Sequence, residues 1–257
     1  YYSMENMNTN PEVCFFDSGI GGISLLYECV RRLPRVDFTY FADNFRVPYG
    51  SLPQEEIIKA VDEKFKEIES RNPAAAVVAC NTVTARCVDF LRGKYKFEIV
   101  GIQPAVKPAA EKGNCLVLAT PATAQSRAVK ELVEKYGKGR TQVFARPDLA
   151  AYVENNVFDL SAERIKSFLP NVKADAVVLG CTHYVFCKEV ISDYYNCAVF
   201  DGIEGTADHL CKILGNSDHQ TPRAQKIAFS GGDTAKNRLV FRSLMVGNGR
   251  LSQKVNI

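Results

Sequence analysis

Two cysteines stand where an apolar run gives way to a short polar cluster: Cys80 ends AAAVVAC and precedes Asn81-Thr82, and Cys181 ends DAVVLGC and precedes Thr182-His183-Tyr184. Cys181 follows Cys80 by 101 residues, the interval that also separates Cys14, in VCFF, from Cys115, in NCLVL. An offset shared by two landmarks reads as an internal repeat, two related units that each present a thiol from the end of a strand. Echoes of Tyr40-Phe41-Ala42 in Val143-Phe144-Ala145, and of Glu98 to Gly101 in Ala198 to Asp201, extend it. At about 2 Å two such sulfurs would be a disulfide. With a small molecule between them they form an acid/base pair, one thiolate removing a proton and the opposite thiol supplying one from the other face. Inversion of a carbon stereocentre needs that arrangement, because a single base returns the proton to the face it came from. A cysteine at a helix N-terminus faces backbone N–H groups, which are expected to lower its pKa from roughly 8.5 toward neutrality.

Other polar clusters follow apolar runs in the same way. Asp17-Ser18-Gly19-Ile20-Gly21-Gly22 comes directly after VCFF. Its glycines let backbone approach an anion, and the amides of the next helix start can bind a carboxylate or phosphate. Ser24 stands where a G-x-G-x-x-G fingerprint requires glycine, so a dinucleotide loop of that type is excluded. Taken alone the motif reads better as a helix cap supplied by Asp17 or Ser18. Asp43-Asn44, followed by Pro48-Tyr49-Gly50-Ser51, is either a grip for a carboxylate or ammonium group or a plain turn. Asn81, Thr82 and Thr182 offer hydrogen bonds to a polar substrate, and Ala119-Thr120-Pro121-Ala122-Thr123 is the second unit's counterpart of the Asp17 turn. His183, one of 3 histidines, lies two residues past Cys181, where it can tune or deprotonate that thiol. Helix capping or packing is its alternative role, and a zinc site on Cys181 and His183 lacks further ligands at the usual spacing.

Strands and helices must place these clusters together. Near-continuous apolar runs predict strands over Val13–Phe16, Asp37–Ala42, Ala75–Ala79, Glu98–Gly101, Cys115–Ala119, Thr141–Ala145, Ala176–Leu179, Ala198–Phe200 and Lys226–Ser230. Amphipathic segments between them, such as Gln54–Ser70, Thr84–Lys94, Ala124–Tyr136, Ala162–Leu169 and Gly205–Leu214, predict helices. Strand and helix in alternation give an α/β fold of two pseudo-symmetric lobes, each a mostly parallel sheet flanked by helices, with a cleft between them. Pro104 and Pro108 flank the expected passage between lobes, and Gly215 to Pro222 a second crossing. The first lobe is then 11–104 plus 218–257, its last strand and helix returning to it, and the second is 105–217.

Composition narrows the classes. A chain of 257 residues with 46% hydrophobic and 24% charged residues has material for a sizeable core. Net charge is only +3, and the 32 basic residues are scattered, so nucleic acid and membrane are not expected partners. No apolar segment approaches the roughly 18 residues of a membrane span, and the opening YYSMENMNTN is polar, unlike a secretion signal. The expected compartment is the cytoplasm. Nine cysteines without a C-x-x-C pair argue against a disulfide scaffold or zinc ribbon, and Cys14, Cys29, Cys87, Cys115, Cys187, Cys197 and Cys211 read as small core hydrophobes.

Five motifs together carry a resemblance: FDSGIGG (Phe16 to Gly22), YFADN with PYG (Tyr40 to Gly50), ACNT (Ala79 to Thr82), ATPAT (Ala119 to Thr123) and LGCTHY (Leu179 to Tyr184). In this order, over nearly the whole chain, they resemble the glutamate racemases of the cofactor-independent aspartate/glutamate racemase superfamily. The resemblance implies that Cys80 and Cys181 are the two catalytic bases and that Asp17 and His183 assist them. It implies that Ser18, Asn81, Thr82, Thr123 and Thr182 hold the amino acid, with Asp17, His183 and the loop residues Asp43, Pro48, Tyr49, Gly50 and Ser51 beside it. Glu154, in AYVEN, matches an acid that assists catalysis, although Ala145-Arg146-Pro147 stands where the family often has Cys-Pro. Glutamate as the small-molecule substrate, no pyridoxal phosphate or other cofactor, no metal, a homodimer, and D-glutamate for peptidoglycan are further implications. Competing readings are a racemase of another acidic amino acid such as aspartate, a Cys-His hydrolase that leaves one cysteine unexplained, and a two-lobed amino-acid binding protein in which both thiols are merely buried.

Overall fold

A computed structural model of the chain describes residues 10–215, 224–247 and 255–256. The first unit runs β1 (Glu12–Asp17), α1 (Ile23–Arg32), β2 (Asp37–Ala42), α2 (Gln54–Ser70), β3 (Ala75–Val78), α3 (Asn81–Lys94) and β4 (Glu98–Gly101). The second runs α4 (Val106–Ala110), β5 (Cys115–Ala119), α5 (Pro121–Ala124), α6 (Arg127–Tyr136), β6 (Thr141–Ala145), α7 (Pro147–Asn156), α8 (Ala162–Ser167), β7 (Ala176–Gly180), α9 (Lys188–Tyr195), β8 (Ala198–Phe200) and α10 (Ile203–Leu214). β9 (Gln225–Ser230), α11 (Thr234–Gly247) and the two-residue β10 (Val255–Asn256) close the chain. The polar opening through residue 9, most of the segment read as a second crossing, and residues 218–223, 248–254 and 257 of the expected first lobe lie outside the described residues.

All strand pairings are parallel, in two sheets ordered β10-β9-β2-β1-β3-β4 and β6-β5-β7-β8. The order β2-β1-β3-β4 recurs as β6-β5-β7-β8, which is the structural form of the 101-residue repeat: β5 takes the place of β1, and β7 that of β3. In each sheet the chain leaves the first strand to one side and returns on the other, and a doubly wound sheet opens a crevice at the carboxyl ends flanking that switch. Asp17 and Cys80 stand at those ends in the first sheet, Thr120 and Cys181 in the second. Strands β1, β3, β5 and β7 are buried on both faces, as their unbroken apolar runs require.

Helices cover the sheets through apolar stripes. In α2 the stripe is Ile57, Ala60, Val61, Phe65 and Ile68, while Glu55 and Glu56 in the first turn complement the helix dipole. One apolar cluster runs from Val13 and Phe15 under the first sheet to Val177 and Leu179 in the second, so the two lobes share a core. Several helix boundaries differ from expectation, α8 stopping at Ser167 short of Leu169 and α10 starting at Ile203 before Gly205. The segment predicted as one helix from Ala124 is broken, since Thr120 caps α5 and Ser126 caps α6, its hydroxyl accepting from the Val129 amide at 3.2 Å. α3 starts at Asn81 rather than Thr84, which puts both polar residues of ACNT in its first turn. Of the cysteines read as core, Cys197 and Cys211 are half-buried; all nine are free thiols. No described helix is long and apolar enough to cross a membrane.

Candidate active site

Cys80 leaves β3 in extended conformation and is the N-cap residue of α3, 6% exposed. Its sulfur lies 3.7 Å from the Ser18 hydroxyl. The Val83 amide is directed at the thiol, the helix-terminus effect expected from sequence, but it does not prevail. Burial first, then the negative charge of Asp17, push the Cys80 pKa up to about 12. The expected drop toward neutrality is therefore reversed at this position: a desolvated thiolate beside a carboxylate costs more than one helix terminus returns. Cys80 is a protonated acid at neutral pH.

Cys181 follows β7 and is equally buried. The chain then forms a 3-10 helix, Thr182–Cys187, that turns His183 back toward the sulfur with Nδ1 3.9 Å from Sγ. His183 Nε2 lies 2.8 Å from Glu154 Oε2, which also accepts from the Ile20 amide at 2.9 Å. The other oxygen, Oε1, accepts from Asn44 Nδ2 and Lys236 Nζ, each at 2.9 Å. Burial pushes the Glu154 pKa up, but the bonds and charge of His183 and the further donors outweigh it, and the carboxyl is held down at about 2. Burial likewise disfavours the His183 cation, yet bonding to Cys181 and Glu154 raises its pKa to about 10. The result is a buried imidazolium–carboxylate pair with one ring N–H aimed at the second thiol.

Two contacts join the halves around the thiols. Thr182 Oγ1 donates to Asp17 Oδ2 at 3.2 Å, while Asp17 Oδ1 accepts from the Gly19 amide at 2.8 Å. Asp17 is fully buried, and desolvation raises its pKa to about 6 against the pull of His183. Ser18, the neighbour of Asp17, contacts Cys80; Thr182, its partner, is the neighbour of Cys181. The cysteines thus flank one polar cluster, and the charge of Cys181 acts on Cys80. Neither Asp17 nor Ser18 caps α1, whose N-cap is Gly22 without a side-chain bond. The glycines of this turn instead permit close approach of the lobes: a Cβ on Gly21 would lie 2.6 Å from His183 Nδ1, and one on Gly19 would overlap the Glu154 carboxylate.

A second wall is made of hydroxyls. Thr82 Oγ1 is 3.0 Å from Thr120 Oγ1 and 3.2 Å from Thr123 Oγ1, all three buried. Beside them Asn81 is 3% exposed, and neither amide atom has a hydrogen-bond partner among the described residues. Buried polar atoms are rarely left so unless something else partners them. In the loop after β2, Asp43 is engaged by Tyr49 and Arg46, each donating to Oδ2 at 2.7 Å. Gly50 packs on Thr120, Pro48 is half-buried, and Ser51 is exposed. Direct contacts therefore pair Ser18 with Cys80, Asp17 with Thr182, and His183 with both Cys181 and Glu154, while Thr82 and Thr123 bond within the hydroxyl wall and Asp43 and Tyr49 bind each other. Thr120 and Lys236 join the cluster without having been singled out. Thr120 carried a signal, as the repeat counterpart of the Asp17 turn; Lys236 carried none.

The Asp/Glu/hydantoin racemase family matches residues 31–210. A glutamate racemase of Clostridium novyi is 37% identical over 219 residues, spanning 80% of this chain and 84% of that protein. A glutamate racemase of Campylobacter curvus is 33% identical over 241 residues, 86% of this chain and 90% of that one. Among solved structures, Escherichia coli glutamate racemase in complex with L-glutamate and the activator UDP-MurNAc-ala superposes with a TM-score of 0.79 at 27% identity, covering 91% of this chain and 95% of that one. With its paired α/β lobes and its match over most of its length, the chain belongs to the Asp/Glu/hydantoin racemase family.

Proposed function

We propose that the protein is a cofactor-independent glutamate racemase in which Cys80 and Cys181 are the two bases. One observation carries this reading above the others: equivalent strand ends of two repeated sheets present one thiol each to a single buried cluster containing Asp17 and the Glu154–His183 pair. Glutamate lies between the thiols, with Asn81, Ser18, Thr82, Thr123, Thr182 and the turn amides as partners for its amino and carboxylate groups, and the Asp43 to Ser51 loop along one side. One sulfur, as thiolate, takes the α-proton, breaking the Cα–H bond. The opposite thiol then gives its own proton to the other face of the carbon. In the direction in which Cys80 is the donor it starts protonated, as its raised pKa favours. Charge accumulating on the α-carboxylate is met by preorganised N–H and O–H donors, the term that makes so weak a carbon acid reactive. His183 steadies the charge changes at Cys181, and Glu154 holds the imidazole. Glutamate is favoured over aspartate by the relatives and by the E. coli complex. D-glutamate for peptidoglycan, a homodimer and a cytoplasmic site of action complete the proposal.

The test is incubation of the protein with L-glutamate in deuterium oxide, no cofactor added, followed by NMR and chiral chromatography. D-glutamate carrying one deuteron at Cα is expected. Absence of both racemisation and exchange, or a faster reaction with aspartate, overturns the assignment; a trapped acyl-thioester would favour a hydrolase.

Gly21 gives a second prediction. In Gly21→Ala the new methyl must displace Thr182 or His183, so racemisation should fall about tenfold or more, since small misplacements at a reacting centre are that costly. Steady-state assay beside a thermal melt checks this, and undiminished kcat would show that the turn tolerates the displacement.

A further inference from the structure

The carboxylate of Glu154 is held by four donors, and one of them arrives from the last helix of the chain, which follows the repeated strands and returns to the first sheet. Lys236, in the first turn of α11, places Nζ 2.9 Å from Glu154 Oε1 and also donates to the Glu154 main-chain carbonyl. It is separated from Glu154 by 82 residues and follows β9, which pairs with β2 in the first sheet. Glu154 sits in α7, beside the second sheet. The same turn fixes a second donor: Asn44 Oδ1 accepts from the Asp233 amide at 3.0 Å and from Asn237 Nδ2 at 3.2 Å, leaving Asn44 Nδ2 to point at Glu154. Asp233 Oδ1 in turn accepts from the Lys236 amide at 2.9 Å.

We propose that Lys236 is a positioning residue that orients the Glu154 carboxylate, and through it the His183 imidazole against Cys181. This rests on the racemase reading. A carboxylate has two oxygens and can rotate. With Oε1 committed to Lys236 and Asn44, Oε2 is left in line with the Ile20 amide and His183 Nε2. The ring is then fixed at both ends, Nε2 on Glu154 and Nδ1 toward the Cys181 sulfur. Lys236 also balances charge: Glu154 lies between two cations, His183 on Oε2 and Lys236 on Oε1. Its side chain is 23% exposed against 4% for Glu154, so the cation keeps contact with water while its partner does not. Among the described residues the hydrogen bonds of the ammonium go to Glu154, so it acts on turnover rather than on substrate binding.

Five proteins test it by steady-state racemisation of glutamate: wild type, Lys236→Met, Lys236→Arg, Glu154→Gln, and Lys236→Met combined with Glu154→Gln. Lys236→Met should lower kcat about tenfold or more with KM changed less than about threefold. Lys236→Arg, which can still donate to Oε1, should recover most of the loss. Because the lysine acts through Glu154, the double variant should be no slower than Glu154→Gln alone, a coupling that two independent structural defects would not produce. Equal kcat in wild type and Lys236→Met, failure of Lys236→Arg to exceed Lys236→Met, or additive losses in the double variant each overturn the proposal while leaving the racemase reading intact. A wild type without racemase activity overturns both.

Discussion

Cys80→Ala and Cys181→Ala should each abolish interconversion of the enantiomers, lowering it by about a thousandfold, within the range that one positioned acid or base contributes. The two losses should look alike in rate and differ in isotope exchange. L- and D-glutamate have equal free energy in water, so kcat/KM must fall by the same factor in both directions. Direction is recorded instead in deuterium wash-in without inversion. A variant that keeps one thiol can still exchange the α-proton of the enantiomer that presents its hydrogen to that thiol, and returns the deuteron to the same face. Cys80→Ala should therefore exchange one enantiomer and Cys181→Ala the other, which also assigns each sulfur to its substrate. Both sulfurs are buried, and removing one takes a single heavy atom from the core, so melting temperatures should drop only slightly. NMR of each pure enantiomer in deuterium oxide, with a thermal melt as control, makes the measurement. Exchange of both enantiomers by both variants would mean that neither cysteine is the base.

The legible part of this molecule is the part encoded locally. Strands covered on both faces write themselves as apolar runs, so β1, β3, β5 and β7, the centres of the paired sheets, follow from residues such as Ala75 to Val78 and Ala176 to Gly180. The two-residue β10 has no such run and was invisible. Cys80 and Cys181 stand out through the shared offset, and the resemblance brought in Glu154, despite the departure at Ala145 to Pro147. What depends on tertiary packing was not legible. A helix N-terminus beside Cys80 is a local feature, but the dominant influences on that thiol are burial and Asp17, from another strand end. The glycines of the Asp17 turn, read as letting backbone approach an anion, also make room for Glu154 and His183, and the Ile20 amide between them donates to the Glu154 carboxylate. Lys236, in a segment reading TAKNRLVF, resembles any solvated helix lysine, and only the return of β9 beside β2 brings it to Glu154.

Glu154→Gln should be the most destabilising single change in the cluster. The carboxylate accepts at both oxygens from His183, Ile20, Asn44 and Lys236. A glutamine keeps one acceptor and turns an N–H2 against two of those donors, and it leaves the His183 cation unpaired in a site where its side chain is 3% exposed. Breaking a buried pair in this way costs about 3–5 kcal/mol. The penalty must also depend on pH in a defined direction. His183 is raised from 6.5 to about 10, so its contribution to stability is complete below pH 6.5 and is lost as pH rises toward 10. Glu154 is lowered from 4.5 to about 2, so its contribution is complete above pH 4.5 and is lost only as pH falls toward 2. Both are present together between those two ordinary values, and there the difference between wild type and variant should be greatest, shrinking steadily as the buffer is made more basic. Urea unfolding of both proteins at pH 6 and again near pH 9 reads it directly. A penalty that is the same at both would show that neutral hydrogen bonds, rather than the imidazolium–carboxylate pair, hold His183 against Cys181, and the charge state from which the site is proposed to work would have to be abandoned.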